Sequence, residues 1–156
     1  YMNIHIIALG SLKERYWEEA EAEYIKRLSP YAKYTITEIK EEPFRGSDNF
    51  DYIKEKEAKK ILEKIPSTSV TIALHERGKK YTSRDFSFFI EERAQYGETL
   101  CFIIGGPLGL HQSVLDKTQF QLSLSSLTFP HQMVRTVLAE QIYRAVTLLK
   151  GKQYHY

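Results

Sequence analysis

In Phe102–His111, FIIGGPLGLH, an apolar run with strand character spills into two adjacent glycines, a proline and a third glycine. Many α/β proteins build a loop around a phosphate or a nucleotide this way, at the carboxyl end of a buried strand. The run begins further back, as TLCFII from Thr99. It shows no polar alternation, so it predicts a strand covered on both faces, as in a parallel sheet. SVTIAL (Ser69–Leu74) has the same character, and Ile4–Leu9 is another apolar run that ends at Gly10. YTITEI (Tyr34–Ile39), rich in β-branched residues, and FQLSLS (Phe120–Ser125) complete the predicted strands.

Helical patterns lie between these strands. Ser11 with Glu14 three residues on predicts a capping box, followed by a buried stripe of Leu12, Tyr16, Ala20, Tyr24 and Leu28, with Pro30 just past the end. Lys40–Phe50, polar and carrying Pro43 and Gly46, is expected to be a mobile surface loop. A second helix is predicted over about 51–64 and stopped by Pro66, and a third is capped by Thr82 or Ser83. HERGKK is expected to be a loop. The last and longest helix should run over about 131–150, with Val134, Val137, Leu138, Ile142, Ala145, Leu148 and Leu149 inward and Gly151 as its stop. This order predicts a single α/β domain over 1–156, a mostly parallel sheet with helices on both faces. Ligands of such sheets bind beyond the carboxyl ends of the strands, which singles out LHERGK after β-branched SVTIA, GGPLG after Ile104, and SLTFPH from Ser126.

Composition narrows the function classes. With 22 Lys plus Arg against 20 Asp plus Glu, the 156-residue chain carries a net charge of +2, mild for a protein that holds nucleic acid by neutralising many phosphates. The cations are interleaved with acids, as in KEKEAKKILEK, which is the pattern of a solvated helix face. No apolar run approaches the roughly 18 residues of a membrane span, and no charged-then-apolar leader is visible, so a cytoplasmic protein with no membrane partner is expected. The one cysteine, Cys101, sits among apolar residues and is expected to be a buried, inert thiol.

The glycine loop fits neither GxxxxGK[ST] nor GxGxxG, and Pro107 removes a backbone N–H that a phosphate cradle would use. Two readings stay open: a turn that lets something flat or uncharged approach closely, and a tight connection with no ligand. The five histidines show no HExxH, there is no CxxC, and no metal is expected. No GxSxG elbow is present. In SLTFPHQMVRTVLAEQIYRA, His131 shares a face with Arg135, and Glu140 with Arg144. Taken alone, this is a helix start with an ordinary i,i+4 ion pair.

Together, LSLSSLTFPHQMVRTVLAEQIYRA (Leu122–Ala145), GKQYHY (Gly151–Tyr156) and IIGGPLGL (Ile103–Leu110) resemble the ribosomal RNA large-subunit methyltransferase H family of the SPOUT class. The resemblance runs end to end, through NIHIIALGSLKERYW, YIKRLSPYAK and AKKILEKI. It implies a SPOUT-type α/β domain whose C-terminal segment forms a deep trefoil knot. It implies a homodimer that uses S-adenosylmethionine to methylate N3 of a pseudouridine in helix 69 of 23S rRNA on the assembled ribosome. Carried over residue by residue, the implied cofactor contacts are Leu74, Gly105, Leu124, Ser125, Ser126, Leu127, Thr128 and Phe129, in the three loops singled out above. Tyr154 and His155 of the tail, with Arg135 and Arg144, are the candidates for base positioning and phosphate contact, the tail completing a site shared between subunits. The sequence departs from the family at Ser126, where many relatives carry Lys; at Tyr156, where a Lys or Arg is usual; and at His75, where an acid is frequent. No phosphate contact is assigned to Ser126 or Tyr156. A SPOUT methyltransferase acting on another RNA, and a non-catalytic α/β module that binds a nucleotide or RNA, are the competing readings.

Overall fold

The computed structural model describes residues 1–155; Tyr156, and with it the departure noted there, lies outside the described residues. Five strands, β1 (Met2–Leu9), β2 (Ala32–Ile39), β3 (Ser69–Lys79), β4 (Thr99–Ile104) and β5 (Phe120–Leu122), form one sheet in the order β2-β1-β4-β3-β5. Every neighbouring pair is parallel, as the unalternating strands predicted. After Thr99 every residue of β4 is buried, because it lies between β1 and β3 with helices above and below.

The two-residue period of each strand deals its apolar side chains to two cores. Ile4, Ile6, Ile72, Leu100 and Phe102 pack on one face with Leu28, Phe86, Phe89, Leu138 and Ile142. These come from α1 (Arg15–Leu28), α3 (Ser83–Ala94) and α5 (His131–Leu149). Ile7, Leu9, Cys101 and Ile103 pack on the other face with Ala58 and Ile61 of α2 (Phe50–Lys64) and Val114 and Leu115 of α4 (Gln112–Lys117). Helices therefore cover both faces. Cys101 is fully buried, and burial pushes its thiol up to about 12. The folded protein should leave Cys101 unmodified by a disulfide-exchange reagent at neutral pH and release one equivalent of thiol on denaturation; rapid reaction of the native protein would contradict this burial.

Several local expectations are corrected. The Ser11/Glu14 capping box does not form: α1 starts at Arg15 with Glu14 as its cap residue and no side-chain cap bond. The stripe predicted at strict four-residue spacing also fails at its start, because each such step turns a helix by about 40° past a full turn. Leu28 is buried, Tyr16 is 61% exposed and Leu12 lies before the helix. The inward face instead carries Trp17, Glu21, Tyr24 and Leu28. Along α5, Arg135, Ala139, Val146 and Thr147 are buried as well as Leu138, Ile142 and Ala145, while Val134, Val137, Leu148 and Leu149 are half-buried.

HERGK is not a loop but the continuation of β3, with the register broken between Leu74 and Lys79, both of which oppose Leu122. Gly78 explains how the strand fits there. A Cβ on it would lie 2.7 Å from the main-chain carbon of Gln121, closer than real contacts come. The short α4 had no apolar period long enough to announce it; the His111 Nδ1 caps it by accepting from Ser113 N at 3.1 Å. Thr82 caps α3 as expected, its Oγ1 accepting from Asp85 N at 3.1 Å. The polar segment after β2 is pinned at its start, where Lys60 reaches the Lys40 carbonyl at 2.7 Å and Glu57 accepts from Glu42 N at 3.1 Å.

Candidate functional site

The carboxyl ends of β3, β4 and β5 open into a cleft of about 670 Å³. Its walls are the three segments singled out from the sequence. All eight residues of the implied cofactor set line it: Leu74, Gly105, Leu124, Ser125, Ser126, Leu127, Thr128 and Phe129. The volume is that of a site for a small organic ligand. Leu74, Ile104, Leu122 and Val134 make it apolar at depth, and Lys54, His75, Glu76, Arg77 and His131 supply its ionisable groups.

The wall from β4 is a closed turn. Gly109 N donates to the Gly106 carbonyl at 3.0 Å, with Pro107 in the second position and Gly109 at φ +81°, a backbone that side chains rarely adopt. Gly105 is tight for a different reason. A Cβ there would meet the Gly109 main chain at 3.0 Å and Leu110 Cγ at 3.1 Å, so the loop folds down against itself. The facing wall, 123–129, is held by serine hydroxyls. Ser123 Oγ donates to the Ser125 carbonyl at 3.1 Å, Ser125 Oγ accepts from Leu127 N at 2.9 Å, and Ser123 N donates to the Lys79 carbonyl at 2.9 Å. Short side chains thus shape a loop without regular structure, and Leu127 is left 76% exposed.

The four tail and helix candidates separate into two places, neither of them in the cleft. Arg135 is buried at 7% exposure. Its Nε and Nη2 donate to the two carboxylate oxygens of Glu21 at 2.7 and 2.8 Å, and its Nη1 to Glu38 at 2.5 Å. The neighbouring Tyr34 hydroxyl is pushed up strongly by burial, with the Glu21 charge adding to the effect. Arg144, Tyr154 and His155 gather instead around Glu140. Arg144 Nη2 and Nε donate to Glu140 Oε1 at 2.6 and 3.0 Å, and the Tyr154 hydroxyl donates to the same oxygen at 3.1 Å. Arg144 Nη1 lies 3.0 Å from His155 Nδ1 and its guanidinium 4.8 Å from the Tyr154 ring centre. Burial is the main cause that pushes the Tyr154 hydroxyl up, followed by a hydrogen bond with Tyr24.

Arg144 follows Val134, the last residue of α5 that lines the cleft, by ten residues, which at 1.5 Å per residue puts it about 15 Å along the axis from the cleft. The tail folds back only as far as Glu140, still about 9 Å along the axis from Val134.

The sequence did not point to Glu21 or Glu38. The signal for Glu21 lay in its position, an acid on the inward face of α1 between Trp17 and Leu28, where an unpaired charge would be costly. Nor did it point to Glu41, whose Oε1 stands 3.8 Å from His131 Nε2. Among the described residues, Asp51, Glu55 and His111 bring ligand-capable atoms within 4.8 Å of one another, in an exposed position where acids often meet without an ion. A second depression of about 450 Å³ lies at the amino ends of the strands, beside Val70, Arg93 and Phe120, and none of the candidates lines it. No described helix is long and apolar enough to cross a membrane.

A family model described as "Predicted SPOUT methyltransferase" matches residues 2–155. The ribosomal RNA large subunit methyltransferase H of Carboxydothermus hydrogenoformans is 44% identical over 160 residues, which covers 99% of this chain and 99% of that protein.

Proposed function

The chain belongs to the SPOUT methyltransferase family, and from that premise we propose that it is an rRNA methyltransferase that carries a methyl group from S-adenosylmethionine to N3 of a pseudouridine in helix 69 of 23S rRNA. In this reading it acts as one domain over 1–156, as a homodimer, and on the assembled ribosome. The observation that carries it is the convergence of three separate segments, the carboxyl-terminal part of β3 and two loops, each singled out from the sequence, on one cleft of suitable size.

The residues suit such a cofactor. It has a flat adenine and no phosphate, so its edges can be read by main-chain groups of the 123–129 loop while Leu74, Leu122 and Leu124 cover its apolar faces. When bound it supplies an electrophilic methyl on sulfur. The protein's work is then to hold a ring nitrogen of the base in line with that methyl at near-attack distance, to keep water out and to receive the proton the nitrogen gives up.

His155, Tyr154 and Arg144 enter as groups that position the base and contact phosphate, reaching the cleft of the partner subunit, because their own is too far along α5. Arg135, its guanidinium engaged by Glu21 and Glu38, contributes by fixing α5 against α1 and β2. The family's deep trefoil knot belongs to the same reading.

The test is methyl transfer from labelled S-adenosylmethionine to whole ribosomes, free large subunits and naked rRNA, with the modified nucleotide mapped. Label at the helix 69 pseudouridine in whole ribosomes is the expected result, and label elsewhere would make this a methyltransferase for another RNA. Calorimetry that finds no cofactor binding, with or without ribosomes, would favour the non-catalytic module.

A further inference from the structure

The proposed reaction needs a group that takes the proton from the attacking ring nitrogen, and the tail candidates were assigned to positioning. His131 opens α5 and lines the cleft beside Phe129, its side chain 39% exposed. Its Nε2 stands 3.8 Å from Glu41 Oε1, which is an ion-pair separation and not a hydrogen bond. Contacts of this kind often tighten once substrate is seated.

Glu41 fits where it does because its neighbours lack side chains. It lies over Gly10, where a Cβ would come within 2.1 Å of its carboxylate oxygen, and its carboxyl carbon is 3.8 Å from the position of a Cβ on Gly106. Two glycines in different loops thus leave a slot that the Glu41 carboxylate occupies behind His131. The first turn of α5 is anchored too, by Lys13 N donating to Gln132 Oε1 at 3.0 Å.

We infer that His131 is the proton acceptor of the methyl-transfer reaction and that Glu41 is its positioning residue. This rests on the reading of the cleft as the methyltransferase site. With Nε2–H directed at Glu41, Nδ1 is the nitrogen left to accept. The N–H bond of the base breaks and its proton passes to the neutral imidazole, while the electron pair stays on the ring nitrogen and forms the bond to the methyl carbon. The pair of the broken carbon–sulfur bond stays on sulfur, leaving a neutral thioether and an imidazolium facing Glu41. The arrangement is a histidine–carboxylate pair in the sense that catalytic dyads use it, the carboxylate fixing tautomer and orientation. The other ionisable groups facing this cleft are Lys54 from α2 and His75, Glu76 and Arg77 from β3; Arg135, one turn further along α5, is taken up by Glu21 and Glu38.

Three measurements test this. First, methyl transfer to ribosomes by His131→Gln should fall on the order of 100-fold, and the decline of rate toward acid pH expected of the wild type should flatten. Second, calorimetric affinity for S-adenosylmethionine should stay within about twofold, which also checks that the variant is folded. Third, nitrogen NMR of the free protein should find His131 as the Nε2–H tautomer, with that preference lost in Glu41→Ala. If the wild type transfers methyl but His131→Gln keeps its rate and its acid limb, or if Glu41→Ala leaves the tautomer unchanged, the assignment is wrong while the functional reading stands. If the wild type transfers no methyl to any RNA, the functional reading fails and this assignment with it.

Discussion

Replacing Arg135 with alanine should destabilise the fold by about 3–5 kcal/mol, because it strands a carboxylate that the fold buries. Glu21 and Arg135 have side chains only 8% exposed and meet through two parallel hydrogen bonds. Remove the guanidinium and Glu21 keeps its desolvation penalty without a counter-charge. Glu38 loses its partner as well, but its side chain is 44% exposed, so water replaces most of what it loses. In thermal unfolding of a chain this size the change corresponds to a fall in Tm on the order of 10 °C. A paired replacement, Arg135→Met with Glu21→Leu, should recover most of the loss, since an apolar pair of similar volume needs no compensation. A loss below about 1 kcal/mol for Arg135→Ala would mean that the network does not clamp α5 onto α1.

Much of this molecule could be read from the chain, for reasons that differ by element. TLCFII and SVTIAL announced themselves because a strand at the centre of a parallel sheet has no face to leave polar. The three segments that wall the cleft followed from the strands, since the ends of a parallel sheet fix where ligands can sit. What escaped were features set by partners distant in sequence. Glu21 and Arg135 are separated by 114 positions, and nothing local marks either as half of a pair. HERGK, polar and following an apolar strand, reads as a loop, whereas Gly78 is the residue that lets β3 continue against Gln121. Ser11 and Glu14 satisfied the letter of a capping box, yet α1 begins only at Arg15.

The tail should decide activity in trans. His155→Ala should slow methyl transfer on the order of 10- to 100-fold while leaving S-adenosylmethionine affinity nearly unchanged, since His155 lies well away from its own cleft. Slower transfer alone does not say whose cleft the tail serves; mixing variants does. Ser126→Trp obstructs the cleft from an exposed rim position that carries no core packing, and calorimetry should first confirm that it has lost the cofactor. Ser126→Trp alone should be close to inactive, and His155→Ala alone should keep at most about a tenth of the wild-type rate. If the chain is the homodimer proposed above, equal co-expression should give mixed dimers in which the intact cleft of one chain can meet the intact tail of the other. Half of the dimers are mixed and each holds one good site of two, so activity should return to about a quarter of the wild-type level. If the tail served its own cleft, every chain in the mixture would still carry one defect and no activity would return. Recovery is the expected result because Arg144 is bound to Glu140 and stacked on Tyr154 toward the end of α5 remote from His131, so a tail ordered in this way lies away from its own cleft, as the proposed homodimer requires.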